Sequence, residues 1–301
     1  MPAPLLIVVT GPTAAGKTAF SITLAKHFKT EIISADSRQF YREMEIGTAK
    51  PTRSELEQAP HHFINSHSIH DSYSAGKYET EALECIEKLF EKHDKLVMTG
   101  GSLLFINAVC EGLDALPQAD AAIREKYNRL LLEQGIAALQ QELKIKDPDY
   151  YKNADIHNPR RLIRALEVTE LCGLPYSAMR SRQPKKRSFD IIKIGLKTQK
   201  GQLTEAINRR VDNMLRRGWL DECKKLYPYR HLNALQTVGY KEIFGFLDGK
   251  YNWADTVERI KIETRHYAKR QLTWLKREKD MVWFLPSQTG EAIQHIDAFA
   301  G

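Results

Sequence analysis

The sequence predicts an α/β fold: a parallel sheet with flanking helices, a helical insertion and a helical C-terminal region. Two observations carry this. Short apolar runs alternate with amphipathic stretches over the first hundred residues, which is the pattern of βαβ units. The text then turns wholly helical from Asp120 to about Arg182 before a strand pattern returns at Phe189. The chain of 301 residues, 42% hydrophobic and 28% charged, is a globular composition that excludes disorder, collagen and a disulfide scaffold.

In chain order, LLIVVT (Leu5 to Thr10) reads as a buried parallel strand, followed by a Gly-rich turn and a helix from Lys17 to Phe28. EIISADS (Glu31 to Ser37) reads as a second strand, Glu79 to Lys92 as an amphipathic helix, and KLVMTGG (Lys95 to Gly101) as a third strand. Asp120 to Leu143 reads as one helix. Asn158 and Pro159 supply an N-cap and first helical position, and Gly173 and Pro175 supply the stop. In that helix Leu162, Leu166 and Leu171 are expected to face the core. QPKKRS (Gln183 to Ser188) reads as a linker and FDIIKIGL (Phe189 to Leu196) as a strand. Leu203, Ile207, Val211 and Met214 form an apolar stripe ending at Gly218, and Thr256 to Arg277 is a helix rich in Arg and Lys. The expected organisation is a core of residues 1–119 and 186–301 with a helical insertion at 120–185.

The longest apolar run, Pro4 to Val9, is too short for the roughly 18 residues of a membrane span. It also lacks the flanks of a signal peptide, so a cytoplasmic protein is expected. Cys85, Cys110, Cys172 and Cys223 are widely spaced and read as buried thiols. Charge is uneven: residues 1–150 hold 16 Lys and Arg against 21 Asp and Glu, and residues 151–301 hold 29 against 17. A basic second half points to a polyanion, with a solvated surface as the alternative.

The sharpest motif is Gly11-Pro12-Thr13-Ala14-Ala15-Gly16-Lys17-Thr18, a full match to G-x-x-x-x-G-K-[ST] between a strand and a helix. Its backbone N–H groups and helix N-terminus suit a di- or triphosphate, Lys17 neutralises phosphate oxygens, and Thr18 can hold Mg²⁺. The motif does not name the reaction. A hydrolase usually carries a carboxylate at the end of a neighbouring strand, yet the third strand ends Met98-Thr99-Gly100-Gly101. The available acid is Asp36, at the carboxyl edge of the sheet, where it could ligate metal, cap a helix or act as a general base.

Taken together, GPTAAGKT, ISADSRQFYREMEIGTAKP (Ile33 to Pro51), APHHF (Ala59 to Phe63), TGGSLLF (Thr99 to Phe105), PRRLIRALEV (Pro159 to Val168), RRVDNML (Arg209 to Leu215), QTVGYKEI (Gln236 to Ile243) and KRQLTWLK (Lys269 to Lys276) resemble the bacterial tRNA dimethylallyltransferase family over nearly the whole chain. The resemblance implies a P-loop kinase-like sheet. It also implies transfer of a dimethylallyl group from dimethylallyl diphosphate to the exocyclic N6 amine of the adenosine 3′ of the anticodon. The tRNAs would be those reading codons that start with U. By resemblance Asp36 is the base, Thr13 faces the reaction centre, Arg210 reaches the diphosphate and Gly11 to Thr18 hold the donor with Mg²⁺. The resemblance also places tRNA at Asp36, Ser37, Arg38, Gln39, Ser102 and Arg124, at Arg160, Arg161, Leu162, Ile163 and Arg164, and at Gln236, Thr237, Val238, Gly239, Tyr240 and Lys241. The last such stretch is Lys269, Arg270, Gln271, Leu272, Thr273, Trp274, Leu275 and Lys276. Read residue by residue, Arg160 and Arg164 share a helical face, Tyr240 can stack on a base, Trp274 and Leu275 favour packing, and His61-His62 read as loop packing. The chain departs from the family pattern at Ser102, Phe105, Asn65, Ala206 and Gln236. No protein partner is implied, and a monomer is the default.

Overall fold

The structure, a computed structural model, describes residues 3–180, 183–199 and 201–300. Arg182, where the helical reading of the middle segment ends, lies outside them. The chain divides into two compact units, Met1–Glu111 with Lys186–Gly301, and Gly112–Lys185.

The first unit is built on six parallel strands in the order β3-β2-β4-β1-β5-β6. β1 (Leu5–Thr10) is buried along its whole length because β4 and β5 flank it and helices cover both faces. A left-handed Gly16 (φ 83°) turns the chain into α1 (Lys17–Phe28). β2 (Ile32–Ser34) is shorter than the sequence predicts. Asp36 leaves the ladder because its own Oδ1 accepts the Arg38 N–H at 3.0 Å, a local turn that competes with strand pairing. α2 (Arg53–Leu56) opens on a Thr52–Glu55 capping box. It leads to β3 (His61–His62), so the histidine pair is an edge strand on β2, not a loop. His61 Nδ1 lies 2.7 Å from the Ala59 carbonyl and His62 Nε2 lies 2.6 Å from Glu31 Oε2. α3 (Ala75–Phe90), β4 (Lys95–Gly100) and α4 (Leu103–Cys110) complete the first half of the unit.

The second unit is helical. Asp120 caps α5 (Ala121–Gln134), and Gly135 (φ 76°, ψ −177°) breaks the single predicted helix before α6 (Ile136–Lys146). α7 (Pro148–Asn153), α8 (Pro159–Cys172) and α9 (Tyr176–Met179) follow. Asn158, Pro159 and Gly173 act at the ends of α8 as read from sequence. Leu162 and Leu166 are fully buried in this unit's core, while Leu171 is 38% exposed and not a core residue. Residues 112–119, read as core, cluster here; Arg164 Nη2 donates to the Pro117 carbonyl at 2.6 Å.

Glu167, with no exposed surface, organises the unit. Its Oε2 accepts from Arg124 at 2.8 Å and Arg164 at 3.0 Å, and its Oε1 from the Asp120 N–H at 2.8 Å. Glu167→Ala removes the carboxylate these bonds share and leaves the half-buried Asp120 N–H unpaired. Destabilisation of about 3 kcal/mol is expected, the low end for a broken buried pair because both arginines stay partly exposed. Calorimetry would show it as an earlier transition of the Gly112–Lys185 unit.

The chain returns through β5 (Asp190–Leu196), α10 (Gln202–Arg216) and α11 (Trp219–Leu226). Ile207, Val211 and Met214 bury the predicted stripe. α12 (Tyr240–Leu247), α13 (Trp253–Leu275), β6 (Met281–Phe284) and α14 (Thr289–Ala300) close the fold. Of the four free cysteines only Cys110 and Cys223 are buried, while Cys85 and Cys172 are half-buried. Among the described residues no helix is long and apolar enough to cross a membrane.

Candidate active site

Because every strand is parallel, the segments that leave β1, β2 and β4 emerge at one edge of the sheet. These are the phosphate loop, Asp36-Ser37-Arg38, and Gly101-Ser102. The loop holds its lysine inward: Lys17 Nζ donates to the carbonyls of Gly11 (3.0 Å) and Pro12 (2.9 Å). Burial first and then Arg210 lower the Lys17 pKa to about 8, against the opposing pull of Asp36. Burial likewise lowers the Arg210 pKa, against the pull of Asp36 and Tyr267. Lys17, Asp36, Arg210 and Tyr267 are thus within electrostatic reach, contributed by α1, the β2 turn, α10 and α13. Two cations within electrostatic reach of a carboxylate, beside an anion-binding loop, suit a reaction in which a proton leaves and an anion departs.

Ser102 joins two of these segments. Its Oγ accepts from the Ser37 N–H and donates to Ser37 Oγ, both at 2.9 Å. Tyr267 faces the same cluster; burial first, then Asp36, push the Tyr267 pKa up to about 12, so it stays a neutral phenol. Sequence reasoning missed Tyr267. Its signal was present: it lies four residues before Gln271, on the same face of α13.

The remaining predicted residues separate by burial. Lys269, Arg270 and Thr273 are exposed on α13, and Lys276 is exposed at its C-cap. Trp274, expected to pack, is 46% exposed, with the Arg277 guanidinium 5.3 Å from its ring centre. Leu275 is buried, and Leu272 is half-buried. Gln271 is 6% exposed and bonds only inward, to Thr13 and Gly101. Gln39 spends its amide on the carbonyls of Thr48 and Ala49. Arg160 and Arg161 are exposed, whereas Leu162 and Ile163 are core residues. Arg164 and Arg124 turn to Glu167, so Arg164 does not share a solvent face with Arg160.

Gln236, Thr237 and Val238 are half-buried before α12, and Lys241 is exposed on it. Tyr240 is not a stacking platform. It has no exposed surface and donates its hydroxyl to Glu222 Oε1 at 2.6 Å. The close approach that Gly239 allows is to Trp219, whose ring a Cβ there would meet at 2.0 Å. Glu222 also accepts the N–H groups of Glu45, Ile46 and Gly47 at 2.7–3.1 Å, fastening the segment after the Asp36 turn to α11. Lys50, 5% exposed, donates to the Tyr41 carbonyl at 2.6 Å and to Asn65 Oδ1 at 2.5 Å. Asn65, a departure from the family pattern, therefore keeps an acceptor for that amine.

Thr18 is half-buried at the second position of α1. Among the described residues no group of three His, Cys, Asp or Glu could hold a metal ion. One hydroxyl beside an anion loop fits a hard cation carried chiefly by phosphate oxygens, not a metal caged by protein ligands.

These features have relatives. A sequence model described as IPP transferase matches residues 39–278. A tRNA dimethylallyltransferase of Phocaeicola vulgatus is 46% identical over 97% of both chains. One of Christiangramia forsetii is 50% identical over 93% of this chain and 92% of its own. The crystal structure of the tRNA isopentenylpyrophosphate transferase of Bacillus halodurans superposes with a TM-score of 0.72 at 34% identity, covering 98% of this chain and 96% of that one. A eukaryotic dimethylallyltransferase acting on tRNA gives 0.76 at 28% identity, over 94% and 74%. Matched along its length, with the phosphate loop and the Asp36 turn at one sheet edge, the chain belongs to the IPP transferase family.

Proposed function

We propose that this chain transfers a dimethylallyl group from dimethylallyl diphosphate to tRNA, releasing diphosphate. The acceptor is the N6 amine of the adenosine 3′ of the anticodon, in tRNAs reading codons that start with U. The observation that carries this reading is a phosphate loop whose neighbouring strand β4 runs out into Gly100-Gly101-Ser102, while the carboxylate at that edge, Asp36, sits with Lys17 and Arg210. That set lacks the second carboxylate of a nucleotide hydrolase and has a base beside an anion clamp.

The adenine amine is a weak nucleophile because its lone pair is delocalised into the ring. Asp36 takes its proton as the new N–C bond forms. The bond from the isoprenoid carbon to diphosphate oxygen breaks, and the electron pair leaves on diphosphate. Lys17, Arg210 and the loop N–H groups hold that growing charge. Magnesium bound with the diphosphate and Thr18 would supply further charge neutralisation there. Ser37, Ser102 and Arg38 frame the base, and a target stacked in the anticodon loop must be flipped out to reach Asp36. The exposed cations Lys269, Arg270 and Lys276, with Trp274, Lys241, Arg160 and Arg161, hold the RNA backbone. Such an enzyme works in the cytoplasm, where its tRNA is.

The test is mass spectrometry of an unmodified anticodon stem-loop, with adenosine 3′ of an anticodon ending in A, incubated with the chain, Mg²⁺ and dimethylallyl diphosphate. One added dimethylallyl group supports the reading; none, with RNA bound, sinks it. An ATP control that phosphorylates the RNA would indicate a kinase. Stem-loop affinity should also fall steeply between 50 and 200 mM salt, by roughly 10-fold or more if at least three phosphates are contacted. A flat profile in a filter-binding titration would remove the basic helices from the RNA site.

A further inference from the structure

Within the basic stretch Lys269–Lys276, Gln271 differs from its neighbours. Lys269, Arg270, Thr273, Trp274 and Lys276 are exposed, but Gln271 is buried and both ends of its carboxamide are used. Oε1 accepts the Thr13 backbone N–H at 2.8 Å, and Nε2 donates to the Gly101 carbonyl at 2.8 Å. The side chain therefore spans from the tip of the phosphate loop to the turn after β4. Residue 101 is glycine at the point of contact: a Cβ there would lie 2.5 Å from Gln271 Nε2. Tyr267 lies one turn earlier on the same face of the helix.

The residue type follows from the two partners. An N–H and a carbonyl must be met by one acceptor and one donor, which a carboxamide supplies without charge. A carboxylate would oppose the Gly101 carbonyl and repel diphosphate, and a lysine has no acceptor for Thr13. The rest of the loop is held from within, by Ala15 N–H on the Pro12 carbonyl at 3.2 Å and by Lys17. Thr13 is the loop position held by a side chain from a distant helix.

We infer that Gln271 is a positioning residue for the donor site and not an RNA contact: it fixes Thr13, and with it the mouth of the phosphate loop, against the turn that carries Ser102 and frames Asp36. This deepens the prenyl-transfer reading and rests on it for the identity of the donor.

The test is Gln271→Met, which keeps length and apolar packing but makes neither bond. The KM for dimethylallyl diphosphate and the Kd for inorganic diphosphate with Mg²⁺ should both rise about tenfold, the value of roughly one hydrogen bond of 1–1.5 kcal/mol. Stem-loop affinity should stay within about twofold, since no RNA contact is lost. An unchanged donor KM overturns the inference, as does a tenfold loss of stem-loop affinity. If the methionine variant does not fold, amide hydrogen exchange on the native chain decides. Thr13 N–H should exchange slowly and remain slow when stem-loop is added; its release on adding RNA would mean that Gln271 leaves for the RNA and overturns the inference. A chain whose diphosphate binding depends on Gln271 but which prenylates no RNA refutes the proposed reaction and leaves this role standing.

Discussion

Asp36→Asn should depress turnover by about 10²–10⁴-fold, the range lost with a general base, while stem-loop affinity stays within about threefold. The asparagine keeps an Oδ1 acceptor for the Arg38 N–H, so the turn that takes residue 36 off strand β2 survives. What disappears is basicity. Single-turnover kinetics with saturating tRNA measure the chemical step, and a titration measures binding. Equal losses in both would make Asp36 an RNA-positioning residue and leave the base to be found elsewhere. Removal of its charge should also drop the Lys17 pKa further, since Asp36 opposes the lowering by burial and Arg210.

The second large effect is a pH dependence at Lys17. In the free chain its pKa is about 8, held down by burial and then by Arg210. A bound diphosphate brings negative charge to the amine and raises that pKa. Lys17 therefore takes up a proton on binding above pH 8 and takes up none below it. Donor affinity should be flat from pH 6 to 7.5 and then weaken, by up to about tenfold per pH unit above 8, until the bound-state pKa is reached. Stem-loop affinity, resting on arginines and exposed lysines, should not follow this curve below pH 9. Lys17→Met should abolish the dependence and weaken diphosphate binding by about 100-fold, the scale of a lost charge-assisted contact. Isothermal titration with inorganic diphosphate in buffers of different ionisation enthalpy would count the Lys17 proton as the difference between the native chain and Lys17→Met, in which the ligand's own protons cancel. Affinity that rises with pH would contradict the assignment.

Sequence-legible features were those with local causes. The β1–loop–α1 unit is legible because a buried run, a glycine motif and a helix follow one another. α8 is legible because Asn158, Pro159 and Gly173 mark its ends. β3 and β6 were not, since two and four residues give no period to read, and β3 exists only because β2 offers an edge. Gly135 broke a helix that its flanks supported. At the site, the loop, Asp36 and Arg210 were named from motifs. The uses of Gln271, Tyr240 and Arg164 were not, because each is decided by a partner far away in sequence: Thr13, Glu222 and Glu167. A motif marks where polar residues gather, and only packing decides which of them face inward.

The inward hold on Lys17 by the Gly11 and Pro12 carbonyls bears on how the catalytic cycle closes. An arriving donor exchanges these two bonds for its own, and the departing product hands them back. The amine thus has somewhere to go at the moment diphosphate leaves, and the low-dielectric mouth is never left with a bare cation. Because the ammonium gives up these two bonds on binding, its net gain from the anion is smaller than that of an unpartnered amine. That moderation favours release of the product, the step at which a site built for a polyanion would otherwise stall.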